Sequence, residues 1–172
     1  MYSVDEKDEV VKLENVPPSS VGAPMPIVLA DDRRVLLCYF VQEREFWQDG
    51  TAEDIAFGAS EEAAALVEFT QPRTHLFGSP NDEALHGHPL YERGLRQYGA
   101  YEVRHSSSVR ELERLNRVHS GHAPERFARL RHYIFTFHDS TFECVAEGLQ
   151  ATEYRGAMRD VLAEMQRRMG SS

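Results

Sequence analysis

Between His132 and Glu147 apolar side chains recur at every second position on both sides of an Asp139-Ser140 pair, and this alternation constrains the fold more than anything else in the chain. Successive residues of a strand point to opposite faces, so a period of two sorts them into two sets. Asp and Ser favour turns because their side chains bond to nearby backbone. Folding the segment back there, with Phe137 opposite Phe142, gathers Tyr133, Phe135, Phe137, Phe142, Cys144 and Ala146 on one face. That face must be covered to be stable. The other face carries Ile134, Thr136, His138, Thr141, Glu143 and Val145, with its polar members near the turn.

Other segments extend the antiparallel theme. Ile27-Val28-Leu29, a polar break at residues 31–34, and Val35 to Val41 read as a second hairpin, whose latter strand is apolar on both faces and so belongs in the middle of a sheet. Ala64 to Phe69, Thr74 to Phe77 and Tyr98 to Arg104 supply further strands, although residues 61–67 also suit the start of a helix. Ser108-Val109-Arg110-Glu111 fits a capping box ahead of a helix over 108–118, and Pro124 suits the first turn of another, running through Phe127 and Leu130. Met158, Val161, Leu162, Met165 and Met169 form the apolar stripe of a terminal helix that should cover the sheet. The expected fold class is α+β: an antiparallel sheet of about 5–7 strands, rolled towards a partial barrel and covered by two to three helices. Residues 1–24, acidic and then rich in Pro and Ser, read as an extended or mobile arm preceding a single domain over 25–172.

Charge and composition narrow the partners. The net charge of -9 is concentrated in residues 1–100, which hold 8 basic and 18 acidic side chains. Phosphate-backbone binding needs a basic surface, so nucleic acid is disfavoured. No run approaches the roughly 18 apolar residues of a membrane span, the N-terminus lacks a secretory pattern, and Cys38 and Cys144 sit in apolar runs suited to reduced, buried thiols. These features predict a cytoplasmic chain without membrane or nucleic-acid partners. The expected partners are a small polar or anionic ligand and, if the chain assembles, a second copy in a homodimer. Locally, Arg104, Arg110, Arg114, Arg117, Arg126, Arg129 and Arg131 outnumber the nearby carboxylates and suit a small anion.

Walker, GxGxxG, GxSxG, HExxH and CxxC patterns are all missing from the sequence. Eight histidines remain, two of them in the unperiodic 78–99 segment and two in the last hairpin. A loop of that length within a compact domain is usually functional. His86-Gly87-His88 followed by Glu92 and Gly99 resembles in spacing the first metal motif of the cupin barrel family, which implies His86, His88 and Glu92 as ligands of a divalent metal. Pro89 and the distant Gly78 depart from that motif, and no second cupin motif follows. Asn81-Asp82-Glu83 suits either a helix start or a carboxylate pair for acid and base work.

The leading expectation is an enzyme or enzyme-like pocket acting by His/carboxylate chemistry where the 78–99 segment meets the polar face of the last hairpin. Its catalytic candidates are His138 as proton carrier, Glu143 as its orienting partner, Asp82 and Glu83. Asn81, Arg104, Arg131, Thr136 and Thr141 are the substrate-binding candidates. Whether the chain is catalytic stays open at this stage. The other reading is a non-catalytic binding or immunity-type protein with an acidic interaction surface.

Overall fold

In the computed structural model, residues 3–42 and 62–170 are described. Residues 42–60, which in sequence form a polar connection containing Trp47, Gly50 and Gly58, fall almost wholly outside them. Two antiparallel sheets lie face to face. The first has five strands: β1 (Glu9–Lys12), β5 (Thr74–Gly78), β6 (Ala100–Arg104), β7 (Arg131–Thr136) and β8 (Thr141–Ala146), in the order β1-β6-β7-β8-β5. The second has four, β2 (Ile27–Ala30), β3 (Val35–Phe40), β4 (Ala63–Thr70) and β9 (Gly148–Arg155), in the order β2-β3-β4-β9. The architecture is thus α+β with antiparallel sheets, but the sheets are not closed, and the expected partial barrel is replaced by a two-sheet stack. Residues 61–67, ambiguous in sequence, enter a strand.

The period of two explains the stack. Leu37 and Tyr39 of β3, Val67 and Phe69 of β4, and Tyr133, Phe135, Phe142 and Cys144 of β7 and β8 all face inward and form one buried core. Leu36, Cys38 and Phe40 point the other way, where Met158, Val161 and Met165 of α3 (Met158–Gly170) cover them. Strand β3 is buried along its whole length, as its doubly apolar sequence requires. The two cysteines belong to different clusters, and burial pushes each thiol up to about 12. Both are free and buried.

The last hairpin differs from expectation by two residues. Phe135, not Phe137, lies opposite Phe142, and the Phe137 amide donates to the Ser140 carbonyl at 2.8 Å, so His138 and Asp139 occupy the turn. An even shift leaves every side chain on its expected face. Helix α1 (Ser107–Asn116) likewise begins earlier than the capping box suggested: Ser106 is its N-cap, accepting from the Val109 amide at 3.4 Å. Helix α2 (Pro124–Phe127) starts at its proline but spans one turn.

The arm expected over 1–24 is extended, and its described part is built into the body. Strand β1 pairs with β6, Val16 joins the central core, and Ser19 bridges Val41. Buried Asp8 accepts from the Ser107 amide at 2.6 Å and from the Ser107 hydroxyl at 2.5 Å, which ties the arm to the start of α1. No helix among the described residues is long and apolar enough to cross a membrane.

Candidate functional site

The segment after β5 lies across the outer face of the five-stranded sheet. Leu85, Leu90 and Leu95 anchor it on Tyr101, Val103 and Ile134, each leucine at most 1% exposed. Single 3-10 turns at Leu85–Gly87 and Tyr91–Arg93 carry the chain between these anchors. The space expected to be a pocket between this segment and the hairpin is therefore filled with apolar side chains. The hydroxyls of Thr136 and Thr141 are both buried there, donating to the carbonyls of Arg96 and Pro80 at 2.8 and 2.9 Å. They hold the segment down instead of facing a substrate.

The remaining polar residues fall into two clusters. At the rim, His138 meets the segment as expected, but through Asp82: Nδ1 lies 2.9 Å from Asp82 Oδ2. The Tyr98 hydroxyl donates to the same carboxylate oxygen and stacks its ring on the imidazole. The Tyr98 bond, with the His138 bond beside it, holds the Asp82 carboxyl below its usual range, and Asp82 in turn raises His138. Asn81 caps the following turn through the Ala84 amide at 3.0 Å, while Glu83 is exposed. Asn81 thus caps a turn ahead of the 3-10 helix, whose own N-cap is Ala84, and of the two carboxylates only Asp82 contacts His138.

Glu143 is not the partner of His138. It is buried beneath the segment, where Oε1 lies 3.2 Å from His88 Nε2 and Oε2 lies 2.8 Å from His132 Nε2. On the far side of the His132 ring, Nδ1 lies 2.9 Å from Ser106 Oγ. The hydrogen bonds assign the protons. His88 Nδ1 accepts the Leu90 amide at 3.2 Å, so its proton is on Nε2 and points at Glu143. The Glu143 carboxylate only accepts, so the proton of a neutral His132 sits on Nε2, and its bare Nδ1 accepts the Ser106 hydroxyl. The hydrogen bonds from Ser106 through His132 and from His88 thus converge on Glu143, and all four side chains are largely withdrawn from solvent. Bonds of this kind are stronger in a low-dielectric interior.

Sequence reasoning missed Ser106 and His132. His132 shares the parity of Ile134 and Thr136 and so the face of Glu143, a signal that was available. Ser106 gives none, since only the packing of α1 against β7 brings it near.

Ser106 lines a cleft of about 800 Å3 together with the residues flanking it, Val109 and Glu113 of α1, and α2 with the chain that leads from it into β7. Lys7, Arg104, Arg110, Arg129 and Arg131 stand around it against Glu102, Glu113 and Glu147, five cationic groups to three carboxylates. Arg131 is held by Glu102 at 3.2 Å, Arg129 by Glu147 at 3.3 Å, and Arg110 by Asp5 at 2.6 Å. Arg104 makes no ion pair among the described residues. Arg126 lines a smaller adjoining depression, whereas Arg114 and Arg117 are spent on Glu111 and Glu113 along the helix surface. The arginine excess read from the sequence is thus split, with its larger part around the cleft.

The expected metal trio is dispersed. His86 and His88 lie on a 3-10 turn and its end, not on a strand; His86 Nδ1 contacts the Glu83 carbonyl at 2.9 Å, His88 turns inward to Glu143, and Glu92 is exposed. Among the described residues, no group of three or more His, Cys, Asp or Glu is placed to hold a metal ion. No family model, curated protein or solved structure matches the chain.

Proposed function

We propose that the protein is a small enzyme that binds a small anionic molecule in the cleft beside α1 and acts on it by acid–base chemistry relayed through Ser106, His132 and Glu143. The observation that carries this reading is the ordered hydrogen-bond chain from the cleft-lining serine to a buried carboxylate, with Arg104 and its neighbours at the cleft mouth. An imidazole oriented by a carboxylate can take a proton from a group in the cleft and return it, and the carboxylate stabilises the imidazolium that forms in between. Arg104 supplies the charge that a carboxylate or phosphate group would seek. The rim cluster of Asp82, Tyr98 and His138 has no part in this reading beyond fastening the covering segment.

Titration with inorganic phosphate at constant ionic strength, followed by thermal shift and by amide chemical shifts, tests the binding half. Phosphate should raise the melting temperature more than chloride does, and the shifts should centre on residues 102–110 and 124–131. Replacing Arg104 by Ala removes a charge-assisted hydrogen bond of about 1.5–3 kcal/mol, which weakens affinity roughly ten- to a hundredfold. Replacing Arg114, already paired on the outer helix surface, should leave affinity unchanged. Equal phosphate affinity in the wild type and the Arg104 variant would contradict the reading.

A further inference from the structure

We infer that Ser106 is a nucleophile and that the reaction in the cleft is acyl transfer from a small ester that carries a carboxylate; this rests on the cleft being the ligand site proposed above. Two features of the geometry converge on Ser106. Its hydroxyl proton is directed at His132 Nδ1, 2.9 Å away, and His132 is itself fixed by Glu143 at 2.8 Å, which is the arrangement that makes a serine oxygen nucleophilic. The ring is used in the opposite sense from the commonest triads, with Nδ1 towards serine, but either imidazole nitrogen can take the proton. Ser106 also follows directly on His105, whose φ of 51° bends the chain from β6 into α1. Nucleophilic serines are often raised on such a sharp strand-to-helix turn.

The substrate class follows from the surroundings. A carboxylate on the acyl portion would meet Arg104 at the rim, while the ester carbonyl reaches Ser106, a residue that lines the cleft yet is only 4% exposed. In the first step the Oγ–C bond forms as the Oγ proton moves to His132 Nδ1, and the ester C–O bond breaks as that proton passes to the leaving alkoxide. Water then adds to the acyl carbon, giving its proton to Nδ1. The acyl–Oγ bond breaks, and Oγ recovers the proton. No redox partner is needed.

The test uses the full chain, an alkyl fluorophosphonate with mapping of the labelled peptide by mass spectrometry, and hydrolysis of the p-nitrophenyl half-ester of succinic acid against p-nitrophenyl acetate. Label should appear at Ser106, and the succinate half-ester should be preferred, the preference falling in the Arg104→Ala protein. Ser106→Gly keeps an acceptable N-cap residue and should abolish labelling while phosphate binding persists. Glu143→Gln should abolish it too. Arg104-dependent phosphate binding with no label at Ser106 would overturn the nucleophile and leave the binding site standing. Loss of both would remove the cleft as a ligand site altogether. Label on another serine, or equal labelling of the Glu143→Gln protein, would also overturn the assignment.

Discussion

Replacing Glu143 by Ala is expected to destabilise the fold by about 2–6 kcal/mol, because two buried imidazole N–H groups lose their acceptor at about 1–3 kcal/mol each. Here two imidazoles lose their acceptor at once, at 2.8 and 3.2 Å, beneath a covering segment that keeps water away. Urea denaturation of the two proteins at neutral pH measures the difference. A loss below about 1 kcal/mol, typical of an exposed pair, would mean that the carboxylate is solvated in solution. Glu143→Gln should behave differently. The amide can accept one histidine N–H but must present its own NH2 to the other. His88 cannot change its tautomer without losing the Leu90 amide bond, so His132 must move its proton to Nδ1. Most of the stability is then retained, while Ser106 loses the acceptor for its hydroxyl proton.

Leu90→Ala should cost about 2–5 kcal/mol, as large-to-small changes at fully buried leucines do. Leu90 is 0% exposed and belongs to the cluster that pins the covering segment to Tyr101, Val103 and Ile134. Thermal or urea unfolding reads the loss, and hydrogen exchange should show the 80–99 amides opening before those of β7 and β8. Were the segment an independent flap, Leu90→Ala would leave global stability nearly unchanged. The effect reaches the relay as well, because His88 and the Leu90 amide that fixes its tautomer both lie on this segment.

How much of this was legible in the sequence depended on where each element gets its stability. The last hairpin was read on the correct faces although its register was displaced, because a displacement of two residues preserves parity. Strand β3 announced its central place by being apolar on both sides. Strands β1 and β9 did not. Glu9–Lys12 has only two apolar residues, and Gly148–Arg155 lacks a clean alternation, so each owes its form to a neighbouring strand, β6 and β4 respectively. The segment over β7 and β8 was unreadable for a different reason. Its anchors Leu85, Leu90 and Leu95 stand five residues apart, a spacing that matches neither a helix nor a strand.

The candidate site was legible to a similar degree. His138 does meet the 78–99 segment, and the residue that holds it, Asp82, was among the candidates. Glu143 lies on the face expected of it, yet its partners are His88 and His132, because the segment supplies an imidazole from above and β7 one from the side. Pairing His138 with Glu143 was reasonable along the hairpin alone. It failed because the turn carries His138 beyond the strands, to the rim. Ser106 depends on where a helix start falls against a strand residue 26 positions away, and no local pattern encodes that.

The directed proton order along Ser106, His132 and Glu143 can be observed by long-range 1H–15N correlation of the His132 ring near neutral pH, with the Ser106→Gly protein as comparison. The account predicts a neutral ring protonated on Nε2, with a bare Nδ1 whose resonance moves when the Ser106 hydroxyl is removed. A His132 ring protonated on Nδ1, or one averaging between tautomers as a solvated imidazole does, would contradict it.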